Sequence, residues 1–325
     1  MSRLRVAVIG GGQNCEHEVS LASASSVAAA LDPAVHDVVP LTIGLDGAWS
    51  DLSGPLGTSA GDSLAAAVAL IEGCDVVLPI VHGPNGEDGT LAALCELAGV
   101  PYVGSGVRGG ALAMDKWVTK LVARELGIRT ANGILVTADE PRPVTIASAV
   151  VVKPVSAGSS HGVTLVGHAA ELDSALERAL AVDDRVLVEE LVTGREVDIA
   201  VLGRADGTRL LGPALEIIVA PDSLFDLTTK YDGSADFRLP AELDEVEHKE
   251  LAAAALGLFD ALGCAGVARF DFFVTPDGPV LNEVNTMPGM TAESQVPRMF
   301  AAVGLPYADL LADLVQAALS TARGR

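Results

Sequence analysis

Hydrophobic and polar positions along the chain fall into short apolar runs, glycine-rich turns and longer amphipathic stretches, the alternation expected of an α/β protein. Leu4 to Gly10 reads as a buried strand, followed by Gly10-Gly11-Gly12 and a helical run from about Ser20 to Leu31. Asp75 to Val81 predicts a second strand, and the loop from His82 to Thr90 opens a helix from Leu91 to Ala98. A helix follows from about Lys116 to Leu126, then strand patterns at Ala149 to Pro154 and at Val186 to Val192. Late in the chain, Val267 to Val274 and Val280 to Asn285 flank Thr275-Pro276-Asp277-Gly278-Pro279, whose Pro and Asp-Gly content predicts a tight turn between antiparallel strands. Helices at about Glu247 to Leu262 and Tyr307 to Ala322 read as packing elements. Glu216 to Pro240 has few periodic signals, and a loop of that length reads as a lid.

The late hairpin carries the first candidate chemistry. Side chains alternate along a strand, so Arg269 and Asp271 share one face of the first strand, and Leu281, Glu283 and Asn285 one face of the second. If those faces coincide, Asp271, Glu283 and Asn285 converge beside Arg269. Hard oxygen ligands of this kind suit Mg2+ carrying nucleotide phosphates, with the guanidinium steadying negative charge. A hairpin whose polar face is merely wet has the same pattern.

Composition narrows the choice. A chain of 325 residues, half of them hydrophobic, accommodates two or three domains. The net charge of −22 opposes a broad polyphosphate-binding surface, so nucleic acid is not an expected partner and anionic substrates must meet locally placed cations. Cys15, Cys74, Cys95 and Cys264 show no Cys-x-x-Cys spacing, which suggests neither a zinc site nor a disulfide framework and fits reduced thiols in a cytoplasm. The apolar run after Arg5 is too short for a signal-peptide core, and Glu72 and Asp75 interrupt the stretch from Leu64 to Val81, so no membrane span is expected.

Other polar positions have two readings each. A dinucleotide fingerprint from Gly10 would need glycine where Cys15 stands, which argues against a nicotinamide site. Glu16 is either a helix N-terminal carboxylate or a site residue, and His82, at a strand end, is either structural or placed where α/β proteins bind ligands. Lys153 ends a β-branched run and precedes Val155-Ser156-Ala157-Gly158-Ser159-Ser160-His161-Gly162, a small-residue loop able to offer backbone N–H groups and hydroxyls to phosphates. It lacks the Gly-Lys-Ser/Thr of a Walker A motif. Carboxylates such as Glu196 suit a ribose, and equally a solvated strand end.

Taken together, the motifs resemble those of the D-alanine–D-alanine ligases of the ATP-grasp superfamily. The resemblance rests on Asn282-Glu283-Val284-Asn285-Thr286-Met287-Pro288-Gly289-Met290-Thr291, on Gly11-Gly12-Gln13-Asn14-Cys15-Glu16-His17-Glu18-Val19-Ser20, on His82-Gly83-Pro84-Asn85-Gly86-Glu87-Asp88-Gly89, on Met114-Asp115-Lys116 and on Lys230-Tyr231. It spans essentially the whole chain. It implies an α/β (α+β) ATP-grasp fold with a Rossmann-like N-terminal domain, divided at about 1–106, 107–193 and 194–325.

The same resemblance implies ATP-dependent joining of two D-alanines through an acyl phosphate, for peptidoglycan precursors in the cytoplasm. ATP would be carried by two Mg2+, or Mn2+, on Asp271, Glu283 and Asn285. Lys116, Lys153, Ser160 and Lys230 would meet phosphates, Glu189 and the backbone of Glu190 and Val192 the adenine, and Glu196 the ribose. Glu16, Ser159 and Tyr231 would form a triad near the first D-alanine, with His82 close by; Arg269 and Gly289 would face the oxyanion. Ser294 would hold the second substrate's carboxylate, and beside it Gln295 stands where relatives usually carry an apolar residue, which suggests a second substrate more polar or larger than D-alanine, such as D-serine. The Lys230-Tyr231 pair sets the chain apart from relatives that make D-alanyl-D-lactate. A homodimer is also what the family suggests. The contrasting reading, an ATP-binding module without ligation, is disfavoured because Lys153, Asp271, Glu283 and Asn285 are all intact.

Overall fold

The computed structural model describes residues 3–139, 144–218 and 236–323; Lys230 and Tyr231 lie outside the described residues, with most of the expected lid. The described strands form three sheets. The first contains β1 (Leu4–Gly11), β2 (His36–Ile43), β3 (Trp49–Asp51), β4 (Gly54–Pro55) and β5 (Val76–Pro79), in the order β4-β3-β2-β1-β5. Its centre is parallel, with Val6 opposite both Val38 and Val76. Val6 to Ile9 are buried without interruption, as a parallel strand covered on both faces must be. Helices α1 (His17–Ala30), α2 (Ala60–Glu72) and α3 (Thr90–Leu97) accompany this sheet.

Two further helices, α4 (Val107–Met114) and α5 (Lys116–Glu125), lead to the short strand β6 (Arg129–Thr130). Next come β7 (Gly133–Thr137), β8 (Val150–Pro154), β9 (Thr164–Val166), α6 (Leu172–Leu180) and β10 (Arg185–Glu190). The four long-enough strands pair antiparallel as β7-β10-β8-β9, and α6 packs Leu172, Ala175 and Ala179 into their core. The third sheet runs β14-β13-β11-β15-β16-β6, with β12 paired to β11. Its strands are β11 (Arg195–Gly203), β12 (Arg209–Leu211), β13 (Leu215–Ile218), β14 (Asp236–Arg238), β15 (Val267–Thr275) and β16 (Gly278–Asn285). Helix α7 (Glu245–Leu262) packs against this sheet, starting at Asp244, which caps Val246 and Glu247 in a capping box, and ending at Gly263. Helices α8 (Gln295–Ala302) and α9 (Tyr307–Arg323) complete the described chain.

The segments are not three separate cores. Val8 and Leu78 of the first sheet share a core with Met287, Met290, Phe300, Leu311 and Leu314. Residues 107–130, which sequence groups with the central segment, pack on the third sheet: Ala113 and Ala123 lie among Phe259, Phe270 and Phe272, and β6 pairs with β16. The ends of β1 and β5 therefore face the β15–β16 hairpin across a single cleft.

Candidate active site

The hairpin was expected to present Leu281, Glu283 and Asn285 on one face, and the structure corrects this for Leu281. Asp271 lies opposite Glu283 and Arg269 opposite Asn285, but Phe272 lies opposite Leu281, so Asn282 is an extra residue in β16. This bulge rotates the strand by one side chain. Leu281 is fully buried with Phe270, Phe272 and Val284, while Glu283 and Asn285 keep the polar face. Arg269 grips Asp271 in a fork, Nε to Oδ1 and Nη2 to Oδ2 both at 2.7 Å, and its Nε lies 3.5 Å from Asp198. These carboxylates outweigh burial and hold the guanidinium well above its usual range, so it is permanently charged.

The donor set on this face is oxygen only. Among the described residues no group of three or more His, Cys, Asp or Glu stands ready to hold a metal. Two carboxylates and an amide fit an ion that takes its remaining ligands from water and phosphate, as Mg2+ does, and not a closed zinc or calcium cage.

Across the cleft, Ser159 Oγ donates to Glu16 Oε1 at 2.5 Å. Asn14 positions Glu16: its Oδ1 accepts the Glu16 N–H at 2.8 Å and its Nδ2 donates to the carbonyls of His82 and Pro84. Gly83 and Gly158 let the carboxylate in, since a Cβ at either would lie 2.7 Å or 2.4 Å from Glu16 Oε2. Ser159 and Ser160 have φ of 49° and 59°, a left-handed pair without glycine that costs on the order of 1–3 kcal/mol each.

His82 is buried, with Nδ1 donating to the Met287 carbonyl at 2.7 Å and Nε2 3.0 Å from Ser23 Oγ. Burial lowers its pKa, which fits a neutral ring that donates through Nδ1 and accepts at Nε2. His82 thus lines the cleft and also fastens the first sheet to the loop after β16. Glu87, buried beside it, accepts the Gly83 N–H at 2.9 Å; burial first, then the Glu16 charge, push its pKa up to about 8.

Lysines join the central sheet to the hairpin. Lys116 Nζ lies 3.2 Å from Glu283 Oε2 and donates to the Ala157 carbonyl at 2.6 Å. Lys153 Nζ donates to Asn282 Oδ1 at 3.0 Å and sits 2.9 Å from Glu189 Oε2. Lys120 Nζ lies 2.7 Å from Glu189 Oε1. Glu190 is exposed and accepts from Asn132 N–H and Nδ2, both at 3.0 Å.

A cleft of about 410 Å³ brings together Glu16, His82, Lys116, Ser159, Arg269 and Glu283, with Asn285, Gly289, Ser294 and Gln295 further along its wall. Asp271, Lys153, Ser160, Glu189, Glu190, Val192 and Glu196 do not line it; they belong to the hairpin's flank and the central sheet beside it. Thr291 N–H donates to Ser294 Oγ at 3.1 Å, which shapes the turn entering α8. The structure adds Glu87, Lys120, Asn282 and Arg298 to the candidate residues. Glu87 and Asn282 stand inside the motifs themselves; Arg298, stacked over the Phe237 ring at 5.5 Å, and Lys120 had no local signal.

Two family matches decide what this geometry belongs to: the D-Ala–D-Ala ligase N-terminus over residues 5–105 and the D-Ala–D-Ala ligase C-terminus over residues 143–316. The chain belongs to the D-alanine–D-alanine ligase family. A D-alanine–D-alanine ligase from Nocardia farcinica is 40% identical, the match covering 99% of each chain. Among solved structures, the D-Ala:D-Ser ligase VanG from Enterococcus faecalis is 32% identical with a TM-score of 0.81, over 97% of this chain and 99% of that one. The D-alanine–D-alanine ligase from Bacillus anthracis complexed with ATP is 29% identical with a TM-score of 0.81, over 99% of each. The likeness confirms the ATP-grasp ligase fold expected from the motifs.

Proposed function

We propose that the protein is an ATP-dependent ligase that joins two D-alanines into D-alanyl-D-alanine for peptidoglycan precursors. The observation that carries this reading is the cleft itself: in a chain of this family, the Glu16–Ser159 pair faces Arg269 and Glu283 across a cavity sized for small substrates. ATP transfers its γ-phosphoryl group to a carboxylate oxygen of the first D-alanine, releasing ADP. The amine nitrogen of the second then attacks the activated carbonyl carbon, phosphate departs with its bridging oxygen, and the nitrogen loses a proton.

Positioning and charge neutralisation dominate such chemistry. Lys116, Lys153 and the Ser159–Ser160 turn meet phosphate groups, with Lys230 contributed from the lid. The backbone of Glu190 and Val192 and the Glu196 carboxylate receive the adenosine, and Glu189 faces the base with its two carboxylate oxygens held by Lys120 and Lys153. Asp271, Glu283 and Asn285 would hold Mg2+, or Mn2+, which supplies neutralisation of phosphate charge. Glu16 orients the first substrate's ammonium together with Ser159 and Tyr231, while His82 keeps its neighbouring loop in register. Arg269 and the Gly289 N–H face the oxyanion formed on attack, and Ser294 receives the second carboxylate. A homodimer working in the cytoplasm is what the family resemblance supports. Among the described residues no single helix is long and apolar enough to cross a membrane.

A second reading is favoured by Gln295. Its Nε2 is buried in the cleft wall without a hydrogen-bond partner among the described residues. An unmet buried donor costs about 1–3 kcal/mol, and a substrate acceptor such as the hydroxyl of D-serine would satisfy it once the Gln295 side chain turns into the cleft. One experiment tests both readings: ATP, Mg2+ and D-alanine alone or paired with D-serine, other amino acids or D-lactate, with products identified by mass. D-Alanyl-D-alanine from D-alanine alone supports the main reading. Preference for D-serine that disappears in Gln295→Leu supports the second, and no turnover with any pair overturns both.

A further inference from the structure

Lysine is almost never fully buried, because removing an ammonium from water is costly unless a counter-charge meets it. Lys120 is 1% exposed and lies on α5 one turn after Lys116, on the same buried face. Its partner is Glu189 of β10, whose other oxygen is held by Lys153 of β8. Lys153 reaches on to Asn282, the bulge residue of β16. Two ammonium groups thus share one carboxylate, in a line that runs from α5 through the central sheet to the hairpin.

We propose that Lys120 is a positioning residue for the nucleotide: by occupying Glu189 Oε1 it leaves the Lys153 charge incompletely neutralised and aimed at the phosphates. The inference rests on the reading of Lys153 as a phosphate contact. Without Lys120, a single carboxylate and a single ammonium form a closed pair. Glu189 then draws Lys153 inward, and the network carries no net charge toward an anion. With Lys120 protonated, the three groups sum to one positive charge, and the second oxygen of Glu189 is not available to chelate Lys153. Lys120 touches no substrate in this arrangement; it acts through Glu189.

The charge balance shows how closely this is poised. Burial first, then the Lys153 ammonium, bring Lys120 down to about 7, against the upward pull of Glu189. Glu189 is raised by burial, yet Lys153 and Lys120 together leave it below the ordinary carboxylate value. Lys116, on the same helix, adds a smaller repulsion to Lys120.

The test compares Lys120→Met, Lys120→Arg, Lys153→Met and the double variant Lys120→Met/Glu189→Gln, using ADP titration calorimetry and steady-state kinetics. In Lys120→Met the ADP dissociation constant and the KM for ATP should rise about tenfold or more, with the KM for D-alanine unchanged. Lys120→Arg should recover most of the loss. The double variant should bind ADP more tightly than Lys120→Met, because neutralising Glu189 releases Lys153. A merely structural lysine would instead lower the melting temperature and leave the ADP affinity of folded protein unchanged, and that result overturns the proposal. So does a double variant no tighter than the single one. Should Lys120→Met fail to fold, Lys120→Arg and Lys120→Gln carry the same comparison. If Lys153→Met itself leaves ADP affinity unchanged, the phosphate reading of Lys153 falls; if it weakens ADP while Lys120→Met does not, only the role of Lys120 falls.

Discussion

Glu16 is held by its bonds to Ser159 and Asn14 and by the room that Gly83 and Gly158 leave for its carboxylate. Gly158 lies so close that a single added methyl at 2.4 Å would displace the carboxylate from Ser159. Gly158→Ala should therefore lower kcat on the order of a hundredfold, the cost of roughly 1 Å of misplacement, while the melting temperature changes little. Steady-state rates and a melting curve on the same preparation check both halves; an unaltered kcat would remove Glu16 from the machinery. Glu87 gives a second prediction with a defined sign. Its pKa rises from 4.5 unfolded to about 8 folded, so the native chain holds a proton that the unfolded chain releases between those values. Its contribution to stability is complete below about 4.5 and is lost as pH rises through about 8. Glu87→Gln should flatten that decline, measured by urea unfolding at about pH 5.5 and about pH 8. Equal slopes in the two proteins would mean that Glu87 ionises normally in the folded chain.

At the scale of elements, the β15–β16 hairpin shows what alternation reveals and where it stops. Period two and the Asp-Gly turn place both strands, and Asp271, Glu283, Asn285 and Arg269 do meet on one face. Leu281 breaks the pattern because the bulge at Asn282 is a matter of pairing between strands, and a single strand's sequence carries no record of its partner's register. The bulge sends Leu281 into the core and turns Asn282 toward Lys153. Leu281→Ala should therefore cost about 2–5 kcal/mol of unfolding free energy, a core truncation and not a surface change. A loss under about 0.5 kcal/mol in denaturant unfolding would place Leu281 on the solvated face after all. Lys120 was hidden for a related reason: in sequence it is one of two lysines on α5, and its significance comes from Glu189, which packs against it only once the central sheet has formed. Helix α4 escaped the pattern because Gly109 and Gly110 interrupt its hydrophobic period.

The whole molecule follows from how its cores are joined. Runs of apolar residues and the glycine-rich loops make the α/β class and the order of segments legible. They do not show that Leu311 and Leu314, at the far end of the chain, pack with Val8 and Leu78, or that residues 107–130 pack on the third sheet. Those contacts depend on tertiary docking, which has no local signature. They also have a thermodynamic consequence. A core shared between the first and third sheets couples the two walls of the cleft, so a ligand bound between them stabilises the chain as a unit. With ADP at a hundred times its dissociation constant, the folded state should gain about 2.7 kcal/mol, which for a chain of this length raises the melting temperature by about 4 °C. The gain should appear as an upward shift of one cooperative transition. Lys153→Met, melted at the same ADP concentration, should lose most of it, since its weaker binding lowers the ratio of ligand to dissociation constant. Two transitions, of which ADP moved only one, would show instead that the shared core yields before the nucleotide site does, and that the cleft is assembled from parts that unfold independently.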